Sequence, residues 1–307
     1  MPVPYCHLVD VLRKFNPQLS ESAIDLDDYI GYEDRAQIRA RIDAVSDEFD
    51  QQTGTPMRLV RRGSPGDPRT YEYHDADRPD RRTFPLRVDL DGRDIVPLDP
   101  DAGDTLEVRQ GRDDWDDITD GEGDEWWLDH ETGHLKLFQL LVSRVYWEAP
   151  DERYLRATYR HGALGGGRDR GGQTTLDSQA DDTATNLSVA DAARLPNGGG
   201  VMLLGAGDDA EYVRVTDVDA STDTLTVSRG ERATTATTHE SGTPVHYCPL
   251  SVRDAVAAKA ARELLRYEDW VDDLVEAGDG LGASDKMDAW QQAWQDALAK
   301  HSAVRVM

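Results

Sequence analysis

The spacing of apolar residues changes twice along this chain, from helical to alternating and back, and that switch limits the architectures open to it. Ile38, Ile42, Val45 and Phe49 lie four, three and four residues apart, one apolar stripe on a helix. Gly54 with Pro56 just beyond supplies its stop. Upstream, Val9 and Leu12, then Ile24, Leu26 and Ile30, predict shorter helical pieces broken at Asn16-Pro17. From about residue 57 to 161 the period becomes two. The runs 69–73, 86–90, 105–108 and 135–138 alternate or are rich in β-formers, and Gly, Asp and Pro punctuate them. Residues 113–125 are acidic with few apolar anchors and read as a loop. Beyond the glycine-rich stretch, 187–189, 201–204, 211–215, 225–227 and 245–247 predict five short strands. Helix returns at the end. Ser251 with Asp254 resembles a capping box. Val252, Val256, Ala260, Leu264, Tyr267, Val271 and Leu274 then form a stripe that Gly278 and Gly280 end. A second helix opens at Ser284.

The expected fold is therefore α+β. Residues 1–55 and 249–300 supply helices, and a unit of that size is marginal alone. Energetics favour packing the N- and C-terminal helices together as one helical bundle with two inserted antiparallel β modules. These are a hairpin-rich sheet over 56–161 and a small barrel or sandwich over 173–248. The run 162–172 (GALGGGRDRGG) reads as a flexible linker, and 301–307 as a tail.

Charge adds an environment. Sixty acidic side chains face 34 basic ones, for a net charge of -26. The acids are mostly Asp and dispersed, the bases nearly all Arg; lysine occurs only at Lys14, Lys136, Lys259, Lys286 and Lys300. Such a coat strains a compact fold by self-repulsion at low salt. At about 1 M salt the Debye length of ~3 Å removes most of that strain. The pattern resembles proteins of halophilic archaea and their viruses. A surface gripping nucleic acid needs a basic patch, which the sequence does not display. No apolar run reaches membrane-spanning length and no secretory signal is legible, so no membrane contact is expected. Cys6 and Cys248 are too few for a disulfide scaffold or a cysteine zinc module.

The sharpest motif is His130-Glu131-Thr132-Gly133-His134, which spells the zinc-protease H-E-x-x-H. That chemistry needs a helix, so that both imidazoles share a face. Thr132-Gly133 is poor helix and good turn material, and the flanks Trp126-Trp127-Leu128-Asp129 and Leu135-Lys136-Leu137-Phe138 look like strands. A hairpin over 126–138 is expected, and a zinc peptidase is the distant alternative. No catalytic residue, metal site or cofactor is assigned. Asp113, Asp114, Asp116, Asp117, Asp120 and Asp124 do not fit a calcium-loop spacing, which leaves a solvated loop or a weak cation site. Met287, Trp290, Trp294 and Leu298 share one helix face with Ala297 and serve either a core or a subunit interface.

A family resemblance completes the reading. Ile42-Asp43-Ala44-Val45-Ser46-Asp47-Glu48-Phe49-Asp50, leading into Thr53-Gly54, resembles the end of a helix in head–tail adaptor (connector) proteins of tailed double-stranded DNA viruses. Tyr154-Leu155-Arg156-Ala157-Thr158-Tyr159-Arg160-His161-Gly162 is similar to the strand before their last helices. Pro249 with Val252-Arg253-Asp254-Ala255-Val256, then Ala260-Ala261-Arg262-Glu263-Leu264-Leu265, resembles their helix start. Glu211-Tyr212-Val213-Arg214-Val215 and Gly242-Thr243-Pro244-Val245 resemble a β insert of virion structural proteins. This chain carries more β structure than such adaptors do. The resemblance implies a non-enzymatic virion protein at the head–tail junction, assembled in the host cytoplasm. It would form a ring of twelve copies between the portal and a stopper or tail protein, through which double-stranded DNA passes. By position, Ala303, Val304, Arg305, Val306 and Met307 would contact the portal, the alternative being a frayed end. Another virion component, in a baseplate or decorating the capsid, is the alternative reading.

Overall fold

The computed structural model describes residues 3–16, 32–54, 56–75, 86–111, 113–138, 153–162, 171–267 and 283–302. The expectations at Ile24, Leu26, Ile30, Val271, Leu274, Gly278 and Gly280, in most of the glycine-rich linker, and at residues 303–307 lie outside the described residues. The fold is mixed α+β, with antiparallel sheets and, among the described residues, four α-helices. It divides into two compact units: Met1–Arg58 with Ala163–Met307, and Leu59–Gly162.

The N-terminal segment forms α1 (Leu8–Phe15) and α2 (Tyr32–Thr53). α1 begins on a cap in which His7 Nδ1 accepts the Val9 N–H and the Asp10 carboxylate accepts the His7 N–H. These bonds satisfy amides that a helix start leaves open. The helix stops at Asn16, whose extended backbone precedes Pro17. α2 stops at Gly54, whose φ of +69° lets its N–H reach the Asp50 carbonyl at 2.9 Å. The C-terminal segment forms α3 (Leu250–Tyr267) and α4 (Ala283–His301). The capping box read at Ser251 and Asp254 does not form. Ser251 already lies inside the first turn, its hydroxyl paired with His301 Nε2 at 2.9 Å, and Asp254 pairs with Lys14. The Pro249 carbonyl accepts the Val252 and Arg253 N–H groups instead, both at 3.0 Å.

Side chains of all four helices fall into one apolar cluster that includes Phe15, Ile38, Ile42, Phe49, Val252, Val256, Leu264, Trp290 and Trp294. Phe15 meets Trp290 edge-on at 5.9 Å, and Phe49 meets Trp294 at 5.5 Å. Five buried alanines on α3 (Ala255, Ala257, Ala258, Ala260, Ala261) keep that helix thin enough for close approach from several sides.

The Leu59–Gly162 unit holds β1 (Val60–Arg62), β2 (Glu72–Asp75), β3 (Leu86–Asp89), β4 (Thr105–Arg109), β5 (Trp115–Asp117), β6 (Trp126–Asp129), β7 (His134–Leu137) and β8 (Arg153–His161). One sheet runs β1-β8-β4-β5 with β2 also on β8, and a second runs β3-β7-β6. Both sheets feed one core around Trp126, Leu106, Val108, Leu135 and Tyr159. The run 69–73 is only partly strand. Asp67 caps a short 3-10 turn, Pro68–Thr70, and pairing starts at Glu72.

The remaining strands are β9 (Gly172–Thr175), β10 (Asn186–Ser188), β11 (Gly200–Leu204), β12 (Glu211–Asp219), β13 (Thr224–Glu231) and β14 (Pro244–Tyr247), in the order β10-β13-β12-β11-β14-β9. Just beyond its two edges a single bridge joins Leu176 to Val189, and Ala190 N donates to Thr175 O at 2.9 Å. The sheet thus curls back towards itself around a core of Leu187, Met202, Leu204, Val213 and Val245. This sheet belongs to the same compact unit as the helices. Gly171, at its entrance, lies against Met57: a Cβ there would be 1.8 Å from the Met57 carbonyl oxygen.

Candidate functional site

The H-E-x-x-H residues occupy a hairpin turn. β6 pairs with β7 in antiparallel register, Trp126 opposite Leu137 and Asp129 opposite His134. Gly133 makes the turn possible with φ +76°, and its N–H reaches the Asp129 carbonyl at 2.8 Å. The two imidazoles have separate engagements. His130 Nδ1 lies 2.8 Å from the Ile95 carbonyl oxygen, and His134 Nδ1 lies 2.5 Å from Asp89 Oδ1. Among the described residues no group of three or more His, Cys, Asp or Glu side chains is arranged to hold a metal ion. The acidic stretch after it in importance departs from expectation. Residues 115–117 are strand β5, paired with β4, rather than loop. The anchor is Trp115, which packs edge-on to Tyr73 at 6.1 Å beneath the guanidinium groups of Arg156 (4.5 Å) and Arg109 (5.5 Å). Asp113, Asp114, Asp117, Asp120 and Asp124 remain exposed and Asp116 half-buried.

On α4, Trp290 and Trp294 are 7% and 2% exposed and point into the chain's own apolar cluster. Their indoles therefore have almost no surface to offer a second subunit; Met287 and Leu298 beside them are half-buried. A helix that shares one apolar cluster with the other three described helices satisfies its aromatic face at home.

Two buried polar centres lie in the helical unit: the first ties α1 and α3 to the curled sheet, and the second ties the segments before α1 and after α2 to α2. In the first, the Tyr212 hydroxyl donates to the Asp10 carboxylate and accepts the His7 N–H at 3.0 Å. Arg232 reaches Asp10 at 2.8 Å, and the Arg253 guanidinium lies 5.2 Å from the Tyr212 ring centroid. Burial pushes the His7 imidazole down to about 4 against the pull of Asp10, so it is neutral. Burial and the Asp10 charge push the Tyr212 hydroxyl well up. In the second, Arg58 is almost fully buried, donates to the Val3 carbonyl and Asp50 (both 3.0 Å), and pairs with Asp47. The Tyr5 hydroxyl donates to Asp50 and accepts the Met57 N–H at 2.7 Å. Burial outweighs Arg58 and raises the Asp50 carboxyl to about 6. Cys6 and Cys248 are both buried free thiols, their ionisation pushed up by desolvation. Both centres set buried charge against opposite charge and hydrogen-bond partners, the arrangement of a structural joint, and leave only the Nε of Arg232 and of Arg253 without a hydrogen bond among the groups named.

Two surface depressions bear on function. One, of about 430 Å³, is mainly apolar and lies between α1, α2 and the turn after β11, with Cys6, His7, Leu8 and Leu203 in its wall and the Arg39–Asp208 ion pair beside it. The other, of about 490 Å³, is cationic: Arg41 from α2 and Lys259, Arg262 and Arg266 from α3 surround Glu263. The sequence reading missed this patch. Its signal was available, since residues 259, 262 and 266 share one helical face, but Arg41 joins them only through tertiary packing. No protein-family model, no curated protein and no solved structure matches this chain. Among the described residues no helix is long and apolar enough to cross a membrane.

Proposed function

We propose that this chain is a virion structural protein, a head-to-tail adaptor of a virus of salt-loving archaea. In this reading the four helices act as a ring-forming bundle. Copies close into a ring, of twelve subunits, between the portal and a stopper or tail protein, and double-stranded DNA passes through it. The residues 303–307 reach the portal, and the two β modules contact neighbours or solvent. The observation that carries the reading is the single apolar cluster shared by helices from both ends of the chain. It supports a body made to be rigid and repeated. The charge of -26 favours a conduit, because an acidic wall offers no counter-ion release to hold passing phosphates. A ring of identical chains uses heterologous contacts that close.

Imaging of the intact particle at side-chain detail tests this. A ring of this chain at one vertex is the expected result. Copies spread over the shell would replace the reading with a capsid-decorating role, and copies at the distal end of the tail with a baseplate role.

A further inference from the structure

The cationic depression is at odds with the rest of the molecule. Lys259, Arg262 and Arg266 lie on one face of α3 and Arg41 faces them from α2, within a chain of net charge -26. Part of this charge is matched internally. Arg41 Nη1 meets Glu263 at 3.0 Å, and Lys259 pairs with Glu48 and lies 3.9 Å from Glu263. Among the described residues, four cations thus face two carboxylates. What is left over sits on two arginines. Arg262 spends one terminal nitrogen on Gln291 at 2.6 Å, while its Nε is buried with no hydrogen-bond partner. Arg266 is exposed.

Guanidinium groups with open donors are matched by planar oxyanions, which they bind through paired hydrogen bonds. The chain uses that geometry elsewhere: Arg156 holds Glu107 through Nε at 2.8 Å and Nη2 at 2.7 Å. In molar salt only such directional, partly desolvated pairs retain much strength. Duplex DNA is a poor occupant. It brings a charge about every 1.7 Å and needs an extended basic track, whereas this groove offers one exposed guanidinium, Arg266, and one half-buried and partly engaged, Arg262, about one helical turn apart. A short acidic segment fits the supply. The densest exposed one among the described residues is the strip of Asp113, Asp114, Asp117, Asp120 and Asp124.

We propose that the groove of Arg41, Lys259, Arg262 and Arg266 receives the acidic strip at Asp120 and Asp124 of a second copy of this chain. The contact is heterologous, groove to strip, so each copy offers both halves and successive copies repeat it. It thereby names the charged seam of the proposed ring, and rests on that reading.

The test is self-association of the full chain in about 1 M potassium chloride, followed by sedimentation and light scattering over a concentration series. Arg266→Glu, at an exposed position, and Asp120→Arg/Asp124→Arg should each weaken association by about tenfold or more. Combining them should restore most of the loss. Arg262→Glu/Arg266→Glu should show a larger effect, with far-UV ellipticity checking that it folds. An assembling wild type whose association ignores these changes would overturn the seam and leave the ring. A groove variant that weakens association with no rescue, or with rescue by Asp272→Arg/Asp273→Arg instead, would overturn the assigned occupant. Loss of retention of a double-stranded DNA probe without loss of association would make the groove a phosphate site and overturn it also. A wild type that stays monomeric at every concentration would remove the seam and the adaptor reading together.

Discussion

Replacing Trp294 by alanine separates a core role of the α4 face from a docking role. The indole is 2% exposed, edge-on to Phe49 at 5.5 Å, and carries Lys259 Nζ 4.3 Å from its ring centroid. An aromatic side chain buries roughly 150–250 Å². At about 25 cal/mol per Å² that gives about 4–6 kcal/mol, an upper figure because an unfolded chain already hides part of its surface. Truncating a buried Phe or Trp to Ala costs about 3–5 kcal/mol in cores. The two routes agree on about 4 kcal/mol. The assay is urea unfolding at fixed molar salt, followed by far-UV ellipticity, because all four described helices belong to the unit that holds Trp294. With a slope of about 2–3 kcal/mol/M the midpoint should fall by about 1.5–2 M. Leu298→Ala, half-buried on the same face, should cost about 1–2 kcal/mol. A Trp294→Ala midpoint within about 0.3 M of wild type, with weakened self-association, would refute the argument and return this face to a subunit interface.

Four further outcomes follow from the same structure. Tyr212→Phe removes the hydroxyl shared by Asp10 and the His7 N–H; a loss of about 1–3 kcal/mol is expected in the same unfolding assay, and no loss would remove that joint. Asp50 keeps its proton to about pH 6 when folded, against 3.8 ordinarily, so the folded state binds more protons across that interval. The stability this group contributes is therefore full below pH 3.8 and lost as pH rises through about 6; Asp50→Asn should flatten that decline in a series of urea midpoints, and parallel curves would contradict it. Gly133→Ala places a Cβ 2.3 Å from the Gly92 carbonyl at a φ of +76°, whereas Gly123→Ala, at φ +89°, meets nothing within 4 Å; the first should lose more stability than the second by about 1–3 kcal/mol, and equal costs would argue against the hairpin turn. Dialysis from molar to ~0.1 M salt should unfold the chain or disperse its assembly as longer-range repulsion returns, and undiminished stability would remove the case for a saline habitat.

Legibility from sequence tracked how local the determining physics was. The stripe Ile38, Ile42, Val45 and Phe49 with its Gly54 stop became α2, because periodicity and a left-handed glycine both act within a few residues. The Thr132-Gly133 turn likewise outweighed the motif it spells. β5 was hidden: its anchor is a stack of Trp115 with Tyr73, Arg109 and Arg156, which come together only through sheet pairing. β9 was hidden because glycine masks a strand whose fixing contacts lie some seventy residues on, at β14. The capping box failed because the helix starts at Leu250, two residues earlier than a Ser251 cap requires, and helix starts are the least predictable boundary. The buried joints joining Asp10 to Tyr212 and Arg58 to Asp50 were illegible for the same reason: a charged residue reads as surface until its partners arrive from distant segments.

The van der Waals contact between Met57 and Gly171 has an implication for how such a chain diversifies. The polypeptide departs from its first unit and comes back almost at the point of departure. Closing that gap requires only a turn of a few residues, whose entropic cost is small. Residues 59–162 are therefore a cassette: excision, or exchange for an unrelated domain of any size, leaves the host fold's own cross-chain bonds uncut.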